Sequence, residues 1–298
     1  MAAPVPISYY VQFQDLTPVT RQAYLHELAG QGAKYVVLSS PLLAMILGNP
    51  DLLQTVCDEL KAEGLQFLDS HAPYGPHWDL NSPFAMERPA LSARLKAVME
   101  IVASLQLDTM TIHMGTDLMA PELPAQVHFD RACAMLETLL PDAERLGITI
   151  CLENGMIRNY RTETLLAVLE KFQSDHLGFC FDAGHANVMD KGRAFPDCRA
   201  ITQAAIIGEE PDWEPVAEKM KKMLPYIVNC HLHDNNARED QHTLPGRGCA
   251  DWELITATLR KAPKLRVIQS EVAALRNRIS AAELVQAFDR IFRSNDLP

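Results

Sequence analysis

Short apolar runs alternate with longer stretches of helical spacing along the whole chain. The run KYVVL at 34–38 is rich in β-branched residues, which is typical of a buried strand. The stretch Pro124–Leu146 repeats apolar residues at the spacing of a helix face and stops at Gly147, a common helix-ending residue. About eight such strand–helix units follow one another. Because continuous apolar strands separated by helices are typical of a parallel sheet, the pattern predicts an α/β fold.

The apolar runs and the helical spacings set the boundaries of the predicted elements. The predicted strands are Ile7–Phe13, Lys34–Leu38, Leu65–Leu68, Thr109–Ile112, Ile148–Leu152, Leu177–Phe181, Tyr226–Cys230 and Leu265–Ser270. The predicted helices are Thr17–Ala29, Pro50–Ala62, Pro89–Leu105, Pro124–Leu146, Thr162–Phe172, Pro215–Met223, Asp251–Arg260 and Ser280–Phe292. Three long connections follow candidate functional residues, so we expect loops at the active-site rim there. They are Ala72–Arg88, Ala183–Trp213 and Asp234–Ala250.

Composition narrows the class of protein. The chain has 298 residues, of which 48% are hydrophobic, and this is enough for one large core. Its formal net charge of −11 disfavours a nucleic-acid partner, although a local basic patch could still bind phosphate. Seven cysteines without a CxxC pair indicate a reducing compartment.

The N-terminal sequence MAAPVPISYY has neither the basic nor the long apolar segment of a signal peptide. No apolar run reaches the roughly 18–20 residues of a membrane span. We therefore expect a cytoplasmic protein that makes no membrane contact.

Potential metal ligands recur at, or just past, the ends of the predicted strands. They are His71, His113, Glu153, Asp182, His185, His231, Asp240, His242 and Glu271. An open doubly wound sheet would concentrate such residues near one switch point, whereas here they follow six successive strands. A closed parallel barrel gathers all its strand ends at one rim, where active sites lie. We therefore predict a single (β/α)8 TIM-barrel domain over residues 1–298 with a metal site at its mouth.

The strand-end carboxylates carry the clearest chemical signal. Glu153 and Glu271 each end an apolar run, and a carboxylate there is costly to bury unpaired, although a salt bridge or helix cap would also explain it. Asp182 and His185 frame DAGH, in which Gly184 permits a sharp turn. Helix capping by Asp182 and a core position for His185 are the alternatives. Two glutamates, Asp182 and one histidine form a set of three oxygens and one nitrogen, suited to Mn²⁺, Mg²⁺, Co²⁺ or Zn²⁺.

The segment HLHD places two histidines on one face of a strand, since residues two apart share a face. We predict that one of His231 and His233 is a metal ligand, and that the other binds substrate or only hydrogen-bonds to a neighbour. Asp240 and His242 lie in the following loop, and a solvated loop pair is the alternative for them. Arg247 follows in PGRG and is an anion-binding candidate.

Histidines also follow the third and fourth predicted strands. Taken alone, His71 and His113 are more often satisfied core residues than ligands, but near the same rim we expect them to contact substrate. A second metal site could consist of His185, Asp240 and His242. The motifs GxSxG, GxGxxG and a Walker-type loop are absent from the sequence, which argues against acyl hydrolases, dinucleotide enzymes and P-loop enzymes.

As an ordered set, these motifs resemble the sugar phosphate isomerase/epimerase group of the xylose isomerase-like TIM barrel superfamily. The resemblance runs from about Ser8 to Phe292, and its motifs are LENG at 152–155, FDAGH at 181–185, HLHDN at 231–235, DQHTLPGRG at 240–248, DW at 251–252 and QSE at 269–271. It implies that one divalent metal ion is held by Glu153, Asp182, His231 and Glu271. It also implies that the two glutamates move a proton on and off the carbon next to a carbonyl, and that His185 contacts substrate.

The endonuclease IV family of abasic-site nucleases belongs to the same superfamily and binds three zinc ions through nine residues. All nine of those positions are filled here. The HLHDN and PGRG segments are more similar to the isomerase-like group, and the loops lack an evident basic and apolar set for gripping a kinked duplex. The chain also departs from ketose 3-epimerases, since Met156–Arg161 lacks their second acidic residue and their arginine after His231 is displaced to Arg238.

The sequence therefore predicts a metal-dependent isomerase or epimerase of a sugar, polyol or keto-sugar. Glu153, Glu271 and His185 are its expected catalytic residues, acting through a metal-stabilised enediolate. The expected cofactor is one divalent ion, or more than one zinc ion. A dehydratase of this fold, a multi-zinc phosphodiesterase and a non-catalytic barrel are the alternatives. The expected partner is a small sugar-like molecule rather than nucleic acid, and relatives imply a homodimer or homotetramer.

Overall fold

Eight parallel strands close into a barrel in the computed structural model, which describes residues 5–293. The strands are β1 (Ile7–Tyr9), β2 (Tyr35–Leu38), β3 (Gln66–His71), β4 (Thr109–Ile112), β5 (Thr149–Glu153), β6 (Leu177–Asp182), β7 (Ile227–Leu232) and β8 (Val267–Ser270). The barrel is closed because β8 pairs with β1 as well as with β7. The predicted (β/α)8 barrel is confirmed.

Helices cover the outside of the barrel. They are α1 (Pro18–Gly30), α2 (Ser40–Gly48), α3 (Asp51–Ala62), α4 (Arg88–Ser104), α5 (Ala125–Leu146), α6 (Thr162–Phe172), α7 (Ala183–Lys191), α8 (Arg199–Ile206), α9 (Val216–Met223), α10 (Trp252–Leu259) and α11 (Ala281–Arg293). Eight of them follow the predicted boundaries within two residues. Between residues 5 and 293, none is both long enough and apolar enough to span a bilayer.

Three helices lie where the sequence pattern did not predict them. The helices α7 and α8 lie inside the connection 183–213, which we expected to be an open rim loop. The helix α7 begins directly after β6 because the Asp182 side chain caps it. The helix α2 was missed because its sequence, SPLLAMILG, is apolar on nearly every side and has no amphipathic period.

Several strands continue further toward the mouth of the barrel than predicted. His71, Glu153 and Asp182 are the last residues of β3, β5 and β6, and His231 lies within β7. The strand β1 is instead shorter than its apolar run, because the chain turns into a short 3-10 helix at Phe13–Asp15. Four predicted ligands therefore project from rigid strands rather than from loops.

The strand residues alternate between two environments. On β4, Met110 and Ile112 belong to the main hydrophobic core between strands and helices. Thr109 and Thr111 alternate with them, and Asn229 on β7 donates to Thr111 Oγ1 at 3.3 Å across the barrel. The barrel interior beneath the mouth is therefore polar, while the apolar core lies outside the sheet.

Candidate active site

All nine predicted ligands meet at the C-terminal mouth of the barrel. The strands supply His71, Glu153, Asp182 and His231, and the segments after strands supply His113, His185, Asp240, His242 and Glu271. Contacts of 3.5 Å or less join all nine residues and His233 into one cluster, in which His242 Nδ1 lies 2.9 Å from the backbone carbonyl of Glu271. Strand-end residues far apart in sequence converge here because a parallel barrel aligns all its C-terminal strand ends.

Glu153 is buried at the end of β5 within a ring of imidazoles. Its Oε2 lies 2.9 Å from His113 Nε2 and 3.3 Å from His71 Nε2, and its Oε1 lies 3.2 Å from His231 Nδ1. Burial alone would raise the pKa of Glu153, but His231 and His113 hold that pKa well below its usual value. Glu153 is therefore an ionised carboxylate with both oxygens turned toward ligand-type nitrogens.

The DAGH motif forms the start of α7. Asp182 Oδ1 accepts the backbone N–H of His185 at 2.6 Å, and Asp182 Oδ2 lies 3.1 Å from His233 Nε2. Asp182 thus caps a helix and faces the site at the same time. Gly184 does not make the sharp turn that we expected, since it lies within the helix. A Cβ at Gly184 would lie 1.9 Å from the His233 ring, so glycine permits this close packing.

Asp240 connects two separate histidines of the rim. Its Oδ2 lies 3.2 Å from His185 Nε2 and 3.1 Å from His242 Nε2. Burial would raise the pKa of Asp240, but His185 and His242 hold it well below its ordinary value. The other oxygen, Oδ1, is buried and has no hydrogen-bond partner among the described residues. The two histidines predicted for a second metal site, His185 and His242, therefore both contact the carboxylate of its third member, Asp240.

The loop after β7 is organised by a buried carboxylate, Asp234. Its Oδ2 accepts the N–H of Gly246 and the Nε1–H of Trp252, both at 2.8 Å. These bonds give the HLHDN, PGRG and DW motifs a shared structural role, because together they hold the segment that carries Asp240 and His242.

Arg247 lies away from the cluster. Its guanidinium donates to Glu283 on α11 at 2.6 Å, and both side chains are about half exposed. Arg247 does not line the cavity beside the cluster. The geometry gives no support to the expected substrate contact by this residue.

Glu271 follows β8 and borders open space at the mouth. Its Oε1 lies 3.5 Å from His231 Nδ1, and its Oε2 lies 3.7 Å from His242 Nδ1. Burial and the carboxylates of Glu153 and Asp182 raise the pKa of Glu271 well above its ordinary value. Two glutamates at equivalent strand ends therefore have opposite electrostatic environments.

Four of these residues fit a divalent metal ion. Glu153, Asp182, His231 and Glu271 each offer a ligand atom, and the four atoms lie within 4.8 Å of one another. The set contains three carboxylate oxygens and one imidazole nitrogen, a donor set that Mn²⁺, Mg²⁺ and Zn²⁺ accept. In the described part of the chain, no lysine or arginine pairs with these carboxylates. A divalent cation would balance the negative charge that the imidazoles leave uncompensated.

Further ligand groups share residues with this set. They are His71 with His113 and Glu153, His71 with His231 and Glu271, and His233 with His242 and Glu271. Each offers atoms within 4.8 Å of one another, so the cluster has donors for more than one ion.

A cavity of about 620 Å³ opens beside the cluster, and His242 and Glu271 line its inner wall. Tyr10 and Tyr74 line it as well. Tyr74 is 56% exposed and stacks on the His113 ring, with the ring centroids 4.8 Å apart. Sequence reasoning missed both tyrosines, because a tyrosine in a loop has no periodicity and is not a metal ligand.

An eight-stranded parallel barrel with a metal-type cluster at its C-terminal mouth defines the class of protein. The family model for the xylose isomerase-like TIM barrel matches residues 28–273. The chain therefore belongs to the xylose isomerase-like TIM barrel family, and the resemblance stated from its motifs is confirmed.

A relative known by sequence and several solved structures are similar to this chain. An uncharacterised protein of Methanocaldococcus jannaschii is 25% identical over 230 residues, covering 73% of this chain and 68% of that protein. The 3-keto-D-glucoside 4-epimerase of E. coli has a TM-score of 0.69 at 14% identity, covering 98% of this chain and all of that chain. The IOLI protein, whose structure contains a zinc atom, has a TM-score of 0.68 at 14% identity, covering 98% and 97%. Sugar 3-epimerases also share the fold.

Proposed function

We propose that this protein is a divalent-metal-dependent isomerase or epimerase of a sugar or a sugar-like keto compound. The observation that carries the proposal is the convergence of Glu153, Asp182, His231 and Glu271 within 4.8 Å, beside a cavity large enough for a sugar. Sugar epimerases and a zinc-containing protein among the structures of this fold support the same reading.

The four residues would hold the metal ion at the inner end of the cavity. A divalent ion bound there supplies Lewis-acid polarisation of a carbonyl and a neighbouring hydroxyl. Its native identity, among manganese, zinc, magnesium and cobalt, is part of the proposal to be tested.

The two glutamates would carry the proton transfer. Glu271 borders the cavity, so its carboxylate reaches a substrate carbon directly, while Glu153 lies deeper on β5. One carboxylate removes the proton next to the carbonyl and the other returns it, which inverts or relocates the stereocentre. His71 lines the cavity and His185 lies beside Asp182, so both are proposed to hold substrate oxygens, with His113 and His233 supporting them.

The test is solvent-deuterium incorporation followed by NMR. Wild-type protein, loaded with Mn²⁺ or Zn²⁺, is incubated in D₂O with a panel of ketoses, inososes and keto-sugars. Deuterium should enter at the carbon next to the carbonyl of at least one compound, and a new isomer should accumulate. Loss of water from that compound instead would indicate a dehydratase built on the same residues. Full exchange by both Glu153→Gln and Glu271→Gln would reject the mechanism.

A specific observation also favours a second candidate, a multi-zinc phosphodiesterase. The cluster has several overlapping ligand groups, and Asp240 joins His185 to His242. Several zinc ions there could activate hydroxide and clamp phosphate oxygens. About three zinc ions per chain together with cleavage of abasic DNA would support this candidate. The net charge of −11 makes a duplex substrate the less favoured of the two.

The remaining expectations concern partners. A small sugar-like substrate follows from the proposed chemistry, and nucleic acid does not. Homodimer or homotetramer formation and a cytoplasmic location stay predictions.

A further inference from the structure

The cavity beside the metal-type cluster is lined by more residues than the proposed reaction uses. Its inner wall is formed by His71, His242 and Glu271. Its outer wall comes from the segment after β1, the start of α2 and the loop after β8. The side chains there that can make hydrogen bonds are Tyr10, Gln12, Gln14, Asp15, Ser39, Ser40 and Arg276. A molecule that fills the cavity contacts these groups as well as His71, His242 and Glu271.

Among the described residues, Arg276 is the one arginine or lysine that lines this cavity. Its guanidinium forms no ion pair and no hydrogen bond with any residue between 5 and 293. Its backbone is nevertheless fixed, because the buried Gln12 Oε1 accepts the N–H of Leu275 at 2.9 Å and of Arg276 at 3.2 Å. An exposed cationic side chain is thus carried at the cavity wall by an anchored backbone.

In the described part of the chain, Asp15 supplies the only carboxylate of the outer wall, and two amides already bind it. Asp15 Oδ2 accepts Gln12 Nε2 at 2.9 Å and Gln14 Nε2 at 3.3 Å. Gln12 therefore serves two purposes, since one amide end holds the loop of Arg276 and the other end satisfies Asp15. Arg276 is left available to a ligand.

The start of α2 adds further donors to the same wall. Ser39, Ser40 and Pro41 line the cavity, and α2 is nine residues long. Ser39 occupies the N-cap position, but its side chain makes no capping bond. The side chain is buried, and its hydroxyl has no partner among the described residues. Backbone N–H groups and the helix dipole favour an anion at such a terminus.

We propose that the substrate carries an anionic group, a phosphate or a carboxylate, bound between Arg276 and the start of α2. This assignment rests on the proposed function for the reacting end of the molecule, and it names the substrate class of the same cavity. Charge-assisted hydrogen bonds of this kind change affinity by about 10- to 100-fold. A neutral sugar lacks the anionic group, so its affinity for the cavity is lower by the same factor.

The experiment compares three ligands with one carbon frame: D-fructose, D-fructose 6-phosphate and D-fructuronate. Their binding to the Mn²⁺-loaded protein is measured by calorimetry, without reference to turnover. Wild type should bind at least one anionic ligand 10- to 100-fold more tightly than D-fructose. The relative affinity for phosphate and carboxylate then decides which anion the site prefers.

Two variants and a matched control localise the effect. Arg276→Gln should lose the preference for anions and leave D-fructose binding unchanged. Arg278→Gln, an exposed arginine of the same loop that does not line the cavity, should behave like wild type. Ser39→Ala should weaken the anion several-fold with an unchanged melting temperature, because the hydroxyl makes no capping bond.

Equal binding of all three ligands by wild type would overturn the anion site, and so would an equal loss for neutral and anionic ligands in Arg276→Gln. Tight, Arg276-dependent anion binding without deuterium exchange would instead count against the proposed reaction alone. The two proposals therefore fail by different measurements.

Discussion

Two buried clusters of charged side chains lie near the mouth of this barrel, and they differ in how their charges are balanced. The first, the Arg158 cluster, joins the loops after β4 and β5. Arg158 donates to Asp117, to Glu209 at 2.8 Å and to the carbonyl of Leu123 at 2.9 Å. Asn159 also donates to Asp117. One guanidinium therefore satisfies two carboxylates and a backbone carbonyl.

The second, the rim cluster, consists of the nine ligand-type residues and His233. Its carboxylates pair with imidazoles, Asp182 also accepts a backbone N–H, and neither lysine nor arginine from the described residues pairs with them. Asp240 Oδ1 and His233 Nδ1 are buried and make no hydrogen bond to any described residue. Buried charge that is fully paired supports the fold, whereas buried charge with unused ligand atoms indicates a place for a bound cation.

The largest effect should come from the two glutamates of the rim cluster. Glu153→Gln and Glu271→Gln keep side-chain shape but remove a proton acceptor and a charged ligand, so deuterium exchange should fall about 10²- to 10⁴-fold. The rates are measured by NMR in D₂O at saturating metal. Glu239→Gln, on an exposed loop position, is the matched control and should retain wild-type exchange. Folding is checked by circular dichroism, and near-wild-type exchange in both variants would contradict the assignment.

Substitution in the Arg158 cluster should lower the stability of the protein rather than its activity or its metal affinity. Arg158→Met removes the guanidinium from the buried Asp117 and, among the described residues, leaves only His128 and Asn159 beside it, which should lower the free energy of unfolding by about 3–5 kcal/mol. Urea denaturation measures this loss. Metal affinity at low temperature should stay near that of wild type. A stable Arg158→Met protein that no longer binds metal would show that the two clusters are not separate in function.

Two threonines of β4 lie below the rim cluster and differ in the contacts that their hydroxyl groups make. Thr111 Oγ1 lies 3.4 Å from His231 Nε2 and 3.3 Å from Asn229 Nδ2, while Thr109 Oγ1 has no partner within the described chain. Thr111→Val should therefore loosen the orientation of His231 and weaken metal binding about tenfold. Thr109→Val is the isosteric control and should bind metal like wild type. Equal affinities for the two variants would exclude this support of His231.

The smallest effect should come from the exposed pair of Arg247 and Glu283. Arg247→Ala should change the free energy of unfolding by less than about 1 kcal/mol. Its KM for substrate should stay within twofold of wild type, because the side chain does not line the cavity. A large rise in KM would restore the substrate contact that the sequence indicated.

The sequence predicted the fold correctly where the hydrophobic pattern of a segment matches the set of residues that are buried in it. The alternation of apolar strands with amphipathic helices such as α5 and α6 predicted the barrel and most helix boundaries. The helix α2 was not predictable from periodicity, because Leu42, Leu43 and Ile46 are buried in a segment without a polar face. Likewise, α7 starts without a loop after β6, so the sequence shows no separating turn.

The residues of the candidate site were also predictable only in part. A charged side chain directly after a buried strand is rare, so Glu153 and Asp182 were conspicuous, and a parallel barrel brings such residues together. Tyr74 and Arg276 were missed because loop residues follow no period. Arg247 was assigned to the site because the sequence does not specify the direction in which a glycine-rich turn presents its side chain.

The central claim is that the rim cluster binds a divalent metal ion. It is tested most directly by titrating metal-free protein with Mn²⁺ or Zn²⁺ in a calorimeter, with Asp182→Asn as the comparison. The account predicts saturable binding to wild type, and affinity at least about tenfold weaker in Asp182→Asn at unchanged circular dichroism. Absence of binding to wild type, or equal affinity in the two proteins, would contradict it.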